Sequence, residues 1–156
     1  MNDRANVVVV GIDGSDHSLV ALRVAIEEAE RRDAELHVVY INDYTPAVLH
    51  LPGAVTVNTA DIAEARRVEV WQSAAPVIDS VPFAKRVDLE GHPADSLVAY
   101  CDEIGAVLLV LGNRGRGRLA STLLGSTSLR TLERAHCDVL IVKRDKKDSP
   151  SKNGTV

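Results

Sequence analysis

Short aliphatic runs alternate with stretches of helical periodicity along this chain, and that alternation leaves few architectures open. Residues 7–12 (VVVVGI), 36–41 (LHVVYI), 107–111 (VLLVL) and 139–143 (VLIVK) are runs bounded by glycine or turn residues. Such runs read as buried strands. Residues 84–89 (AKRVDL) form a weaker, more polar run, as an edge strand does. Apolar residues recur at helical spacing between the runs: Leu19, Leu22, Ile26 and Ala29; Ile62, Ala65, Val68, Trp71 and Ala75; Ala94, Leu97, Val98 and Cys101; Leu129, Leu132 and Ala135. The order β-α-β-α-β-α-β-α-β predicts a single doubly wound α/β domain, a five-stranded parallel sheet with helices on both faces.

Local signals set the boundaries. Asp13-Gly14-Ser15-Asp16 combines a turn with a helix N-cap, and the second helix is expected to stop near Pro76. Pro93 suits the first position of the third helix, and Ser126 or Thr127 opens the fourth. Residues 42–59 carry Pro46, Pro52 and Gly53 and are long for a connection, so they read as a lid, a binding loop or a mobile segment. Residues 1–143 form the expected domain, and 144–156 a flexible polar tail.

Composition narrows the function. A chain of 156 residues is the length of one domain and can bury a core without disulfides or metals. The net charge of −4, with only three Tyr, one Trp and one Phe, argues against a nucleic-acid partner: there is neither a basic footprint nor a stacking platform. No apolar run is long enough to span a membrane, and the first residues lack a signal-like apolar stretch. Cys101 and Cys137 form no CxxC, which suits a reducing cytoplasm, and the five His show no metal-ligand spacing.

In such sheets ligands sit beyond the carboxyl ends of the strands. Two post-strand loops stand out. One is the turn at Asp13. The other runs Gly112-Asn113-Arg114-Gly115-Arg116-Gly117-Arg118-Leu119 and reaches Gly125-Ser126-Thr127-Ser128. Glycines let backbone N–H groups approach an anion closely, a helix starting at Ser126 offers free N–H groups and a positive dipole end, and arginines are strong phosphate donors. The loop narrowly misses a P-loop, because Arg118 and Leu119 stand where Lys and Ser/Thr are required. Gly115-x-Gly117-x-x-Ala120 fits a dinucleotide fingerprint formally, but the next strand ends in Lys143-Arg144 rather than in an acid. Gly112-x2-Gly115-x9-Gly125-Ser126 fits a third pattern without exception.

With that pattern, the opening VVVVGIDGS, the Gly91-His92-Pro93-Ala94-Asp95 step and the closing run from Cys137 to Lys143, the chain resembles the universal stress protein family in its ATP-binding branch, over about residues 5–143. The resemblance implies the Rossmann-like fold of the adenine nucleotide alpha hydrolase type, with strand order 3-2-1-4-5. It implies that Asp13 meets the adenosine end of ATP with the backbone of Gly11 and Ile12 beside it, and that Ile41 flanks the adenine. Gly112, Arg114 and Gly115 correspond to the ribose and phosphate loop, and Gly125, Ser126, Thr127 and Ser128 to the phosphate-binding helix start. Relatives often carry Val or Ile where Thr127 stands, a contact that backbone N–H can supply. Magnesium is expected with the phosphates. The last strand, from Val139 to Val142, is an apolar run that the implied order puts at an edge, where relatives pair as antiparallel homodimers.

Plainer readings stand beside these. Asp13 has a second reading as a turn aspartate and Ser126 as a helix cap, while Arg116 and Arg118 read rather as a solvated rim and His92 as a cap or surface residue. Cys101 reads as a small core hydrophobe and Trp71 as packing, against residues 42–59 for instance. The expected function is an ATP-binding regulatory switch in the cytoplasm. The alternatives are a slow ATPase or phosphoryl or nucleotidyl transferase, for which no catalytic set beyond Asp13 is evident, and a non-nucleotide interaction module.

Overall fold

The computed structural model describes residues 6–44, 48–51, 55–114 and 124–144, with the backbone alone at 48–51 and 55–57. The elements in chain order are β1 (Asn6–Ile12), α1 (Asp16–Arg31), β2 (Ala34–Asn42), β3 (Val48–Leu51), β4 (Val55–Asn58), α2 (Thr59–Ile78), β5 (Ala84–Glu90), α3 (Pro93–Ile104), β6 (Leu108–Gly112), α4 (Ser126–Arg134) and β7 (Asp138–Val142). Five strands form one parallel sheet in the order β5-β2-β1-β6-β7, which counted along the chain is 3-2-1-4-5. The expected doubly wound α/β fold is the one observed. Residues 42–59 depart from expectation: they contain an antiparallel hairpin, β3 paired with β4, which leads directly into α2.

The central strands are aliphatic because both their faces are covered. Alternate residues of β1 serve two cores: Val8, Val10 and Ile12 pack with residues of α1 and α2, whereas Val9 packs with Leu97 and Cys101 of α3. Helix α1 lies close to the sheet on the small residues Ala21, Ala25 and Ala29, with Leu22 between them. Ser15 caps it, its Oγ accepting from the Ser18 N–H at 3.2 Å, and Gly14 turns the chain at φ 79°, a conformation that suits glycine.

Two helices differ in phase from the expectation. The buried stripe of α2 is Ala63, Val70, Trp71, Ala74 and Ile78, so Ile62 (56% exposed) and Val68 face outward. Pro76 does not end α2, which runs on to the buried Ile78. So near the end, proline removes one hydrogen bond, and burial of the last turn offsets it. In α4 the buried residues are Ser128 and Thr131, while Leu129 and Leu132 are 50% and 42% exposed. The inward face carries a buried hydrogen bond, Ser128 Oγ donating to the Gly112 carbonyl at 2.8 Å. Trp71 packs as expected, but toward β5: its Nε1–H donates to Asp88 at 2.8 Å, and Arg86 lies over its ring. Cys101 is a buried core residue.

Candidate functional site

The sheet order sets the site. Strands β1 and β6 are neighbours although far apart in sequence, so the connections leaving their carboxyl ends go to opposite faces and open a crevice between them. A cleft of about 310 Å³ lies there. That is within the range of small-molecule sites, which begin at roughly 300 Å³. Its floor and near wall are Gly11, Ile12 and Asp13 from the end of β1, and Ile41 from the end of β2. Gly112 and Arg114 enter from the end of β6, and Gly125, Ser126, Thr127 and Ser128 from the start of α4. Ten of the eleven residues singled out in the sequence thus line one cavity; the eleventh, Gly115, lies outside the described residues, as do Arg116 and Arg118.

Each wall has a local cause. Asp13 Oδ1 accepts from the Ser15 N–H at 2.9 Å and from Ser15 Oγ at 2.5 Å, so the carboxylate also builds the turn into α1. Ser18 Oγ, nearly inaccessible to water, donates to the Ser15 carbonyl at 2.9 Å. Gly112 is demanded by packing: a Cβ there would lie 2.8 Å from the His17 carbonyl oxygen of α1. At Gly11 a Cβ would meet the side chains of Leu111 and Leu97.

Helix α4 is aimed by its connections. The Gly125 N–H donates to the Asn113 carbonyl at 2.8 Å and the Asn113 N–H to the Val142 carbonyl at 2.9 Å, which joins both ends of the glycine loop to β7. Gly125, not Ser126, is the N-cap, and among the described residues no side chain caps the helix. The plainer reading of Ser126 as a cap is therefore replaced. Glycine at the cap leaves the first-turn N–H groups of α4 without a side-chain acceptor, at the positive end of the helix, on the cleft wall. Of the three hydroxyls, that of Ser128 is engaged by Gly112. His92 sits at the N-cap of α3 without a side-chain capping bond, 3.8 Å from Asp95.

Seven lining residues were not among the site candidates read from the sequence: Ser18, Tyr40 and Asp43, then Arg66 of α2, and Pro93, Leu97 and Leu111. Ile12, Ile41, Leu97 and Leu111 make the interior apolar, while two cations reach it. The Nε atoms of Arg66 and Arg114 are both shut off from water without a hydrogen-bond partner. Among the described residues no group of three His, Cys, Asp or Glu could cage a metal ion. An apolar slot ending in uncapped helix N–H groups and two guanidinium groups with unbonded Nε atoms suits a ligand with a flat apolar part and an anionic part.

Comparison with known proteins agrees with this architecture. The family model described as the universal stress protein family matches residues 5–143. This chain belongs to that family. Universal stress protein MJ0531 of Methanocaldococcus jannaschii is 34% identical over 146 residues, covering 90% of this chain and 84% of that protein. A solved universal stress protein in complex with cAMP is 34% identical, with a TM-score of 0.63 over 90% of this chain and 98% of that one. Universal stress protein UspA from Lactobacillus plantarum, 23% identical, shares the fold with a TM-score of 0.68 over 89% of this chain and 98% of that one. No described helix is long and apolar enough to cross a membrane.

Proposed function

We propose that this universal stress protein binds an adenine nucleotide, ATP carried with Mg²⁺, in the crevice between β1 and β6, and acts as a homodimeric, nucleotide-dependent regulatory switch in the cytoplasm. One observation carries the reading: all the described residues of the glycine motif line the same cleft as Asp13 and Ile41. The relative of known structure that was solved with cAMP supports an adenine nucleotide as the class of ligand. In this reading Ile12 and Ile41 bracket the base and Asp13 accepts from the adenosine end. Backbone N–H groups of Ser126, Thr127 and Ser128 meet the phosphates, with Gly112, Gly115 and Arg114 forming the loop beneath them. The oxygen donors of the cleft suit a Mg²⁺ ion held mainly by phosphate oxygens, the manner in which Mg²⁺ usually binds with nucleotides. Such an ion would neutralise part of the phosphate charge.

Occupancy would stabilise the fold by about 2.7 kcal/mol at a hundredfold excess of ligand over Kd. β7 supports the dimer: it is a terminal strand of the sheet, with half-buried Val139, Leu140, Ile141 and Val142. Two free cysteines support a reducing compartment. Residues 1–143 are the binding domain in this reading and 144–156 a tail. Calorimetry with nucleotide-stripped protein tests the ligand, and no ATP binding up to millimolar concentration overturns it. Sedimentation velocity tests the dimer, and a monomer at micromolar concentration removes that part alone.

A further inference from the structure

The glycine motif accounts for the cleft walls on β6 and α4, but not for the wall on α2. Arg66, itself only partly buried, stands at the edge of the buried stripe of that helix, one turn before Val70 and one turn after Ala63, both buried. A charged residue on such a stripe is unusual unless it is paired or has a ligand. Among the described residues Arg66 makes no hydrogen bond or ion pair, and its Nε is closed off from water. The side chain instead lines the cleft that Arg114 enters from the other side of the sequence. Asp13 and Asp43 share the cavity.

A guanidinium group held this way is a donor fork waiting for an acceptor, and carboxylate and phosphate are the acceptors it matches best. We propose that Arg66 is a phosphate-binding residue of this cleft, supplied from α2 rather than from the glycine motif, so that the site grips the anionic part of its ligand between Arg66, Arg114 and the start of α4. The inference rests on the nucleotide reading above and deepens it. It makes the affinity depend on ligand charge through a residue outside the motif. It also connects the ligand to the β3–β4 hairpin, because β4 ends at Asn58, the N-cap of α2, two turns before Arg66.

The test is calorimetric titration of the wild type, Arg66→Ala and Arg66→Lys with ATP, AMP and adenosine, each protein first checked for its circular dichroism spectrum and thermal midpoint. Loss of a charge-assisted hydrogen bond weakens binding by about tenfold to a hundredfold. Arg66→Ala is expected to lose that much for ATP, less for AMP and nothing for adenosine, with Arg66→Lys recovering part of the ATP affinity. Equal losses for ATP and adenosine, or no loss for either, would overturn the inference while leaving the nucleotide reading intact. A wild type that binds none of the three ligands overturns the nucleotide reading, and this inference with it.

Discussion

Gly112→Ala separates what the first motif glycine does for the fold from what it does for a ligand. The added Cβ would stand 2.8 Å from the His17 carbonyl oxygen, 2.9 Å from its carbonyl carbon and 3.1 Å from its Cβ. The first two are backbone atoms in the opening turn of α1, a helix packed on β1 and β6 with its inner face fully buried. They cannot rotate away, so helix or strand must shift, and overpacking of this kind costs about 1–3 kcal/mol. For a domain of this size each kcal/mol moves Tm by roughly 2–4 °C, so a loss of about 2–12 °C is expected. Gly11→Ala is the control. There the added Cβ would meet Leu111 Cδ2 at 2.8 Å and Leu97 Cδ1 at 3.2 Å, which are ends of side chains that can change rotamer. Its cost should be smaller, about 1 kcal/mol or less. Thermal unfolding by circular dichroism, without nucleotide, ranks the three proteins. A Gly112→Ala protein melting within about 1 °C of wild type, or above Gly11→Ala, would refute the steric argument and leave close approach to a ligand as the reason for the glycine.

Acid sensitivity should trace in part to Glu35. Its carboxyl is held below the ordinary 4.5 by the hydrogen bond from Lys85, at 2.8 Å, and next by His37, at 3.2 Å. That stabilisation is complete above about pH 4.5 and is lost as the pH falls through the lower folded value. Tm should therefore fall less steeply with acidification in Glu35→Gln than in wild type, and superimposable profiles would contradict the assignment. Burial pushes the Cys101 thiol up to about 12 and raises that of Cys137 as well. Little thiolate forms near pH 8, so intact mass should show slow alkylation by iodoacetamide in the native protein and two adducts in guanidinium chloride. Rapid double labelling of native protein would refute this. Ser128→Ala removes the buried bond to the Gly112 carbonyl and should cost about 1 kcal/mol, read as a Tm lower by roughly 2–4 °C.

The parallel sheet was legible because its central strands are covered on both faces and therefore uniformly aliphatic, as at Val8, Val9 and Val10. The hairpin within 42–59 was not: β3 and β4 have only four residues each, and three prolines and glycines nearby speak for a loop. The phase of α4 failed for another reason. Leu129 and Leu132 are the more apolar residues, yet Ser128 and Thr131 face inward. The helix is only nine residues long, and its inner face carries the Ser128 hydroxyl, bonded to the Gly112 carbonyl, rather than the leucines. Apolar spacing predicts rotation well only when burial of the apolar face dominates the energy of the helix.

The same limit governs the site. Asp13, Ile41 and the glycine motif could be read because each follows a strand, where an α/β sheet puts its ligands. Arg66 follows no strand and belongs to no motif, and its visibility depends entirely on the rotation of α2. Phased on Ile62, Ala65 and Val68, the helix makes Arg66 an ordinary surface charge. Phased on Ala63, Val70 and Ala74, it puts Arg66 at the edge of the inner stripe, facing the cleft. The difference lies in alanines, which count little in an apolar pattern but allow the close helix approach that decides which side faces in. In a chain whose helices pack through alanine, a misplaced phase does more than mislabel core residues. It conceals a charged residue that the helix carries to the cleft.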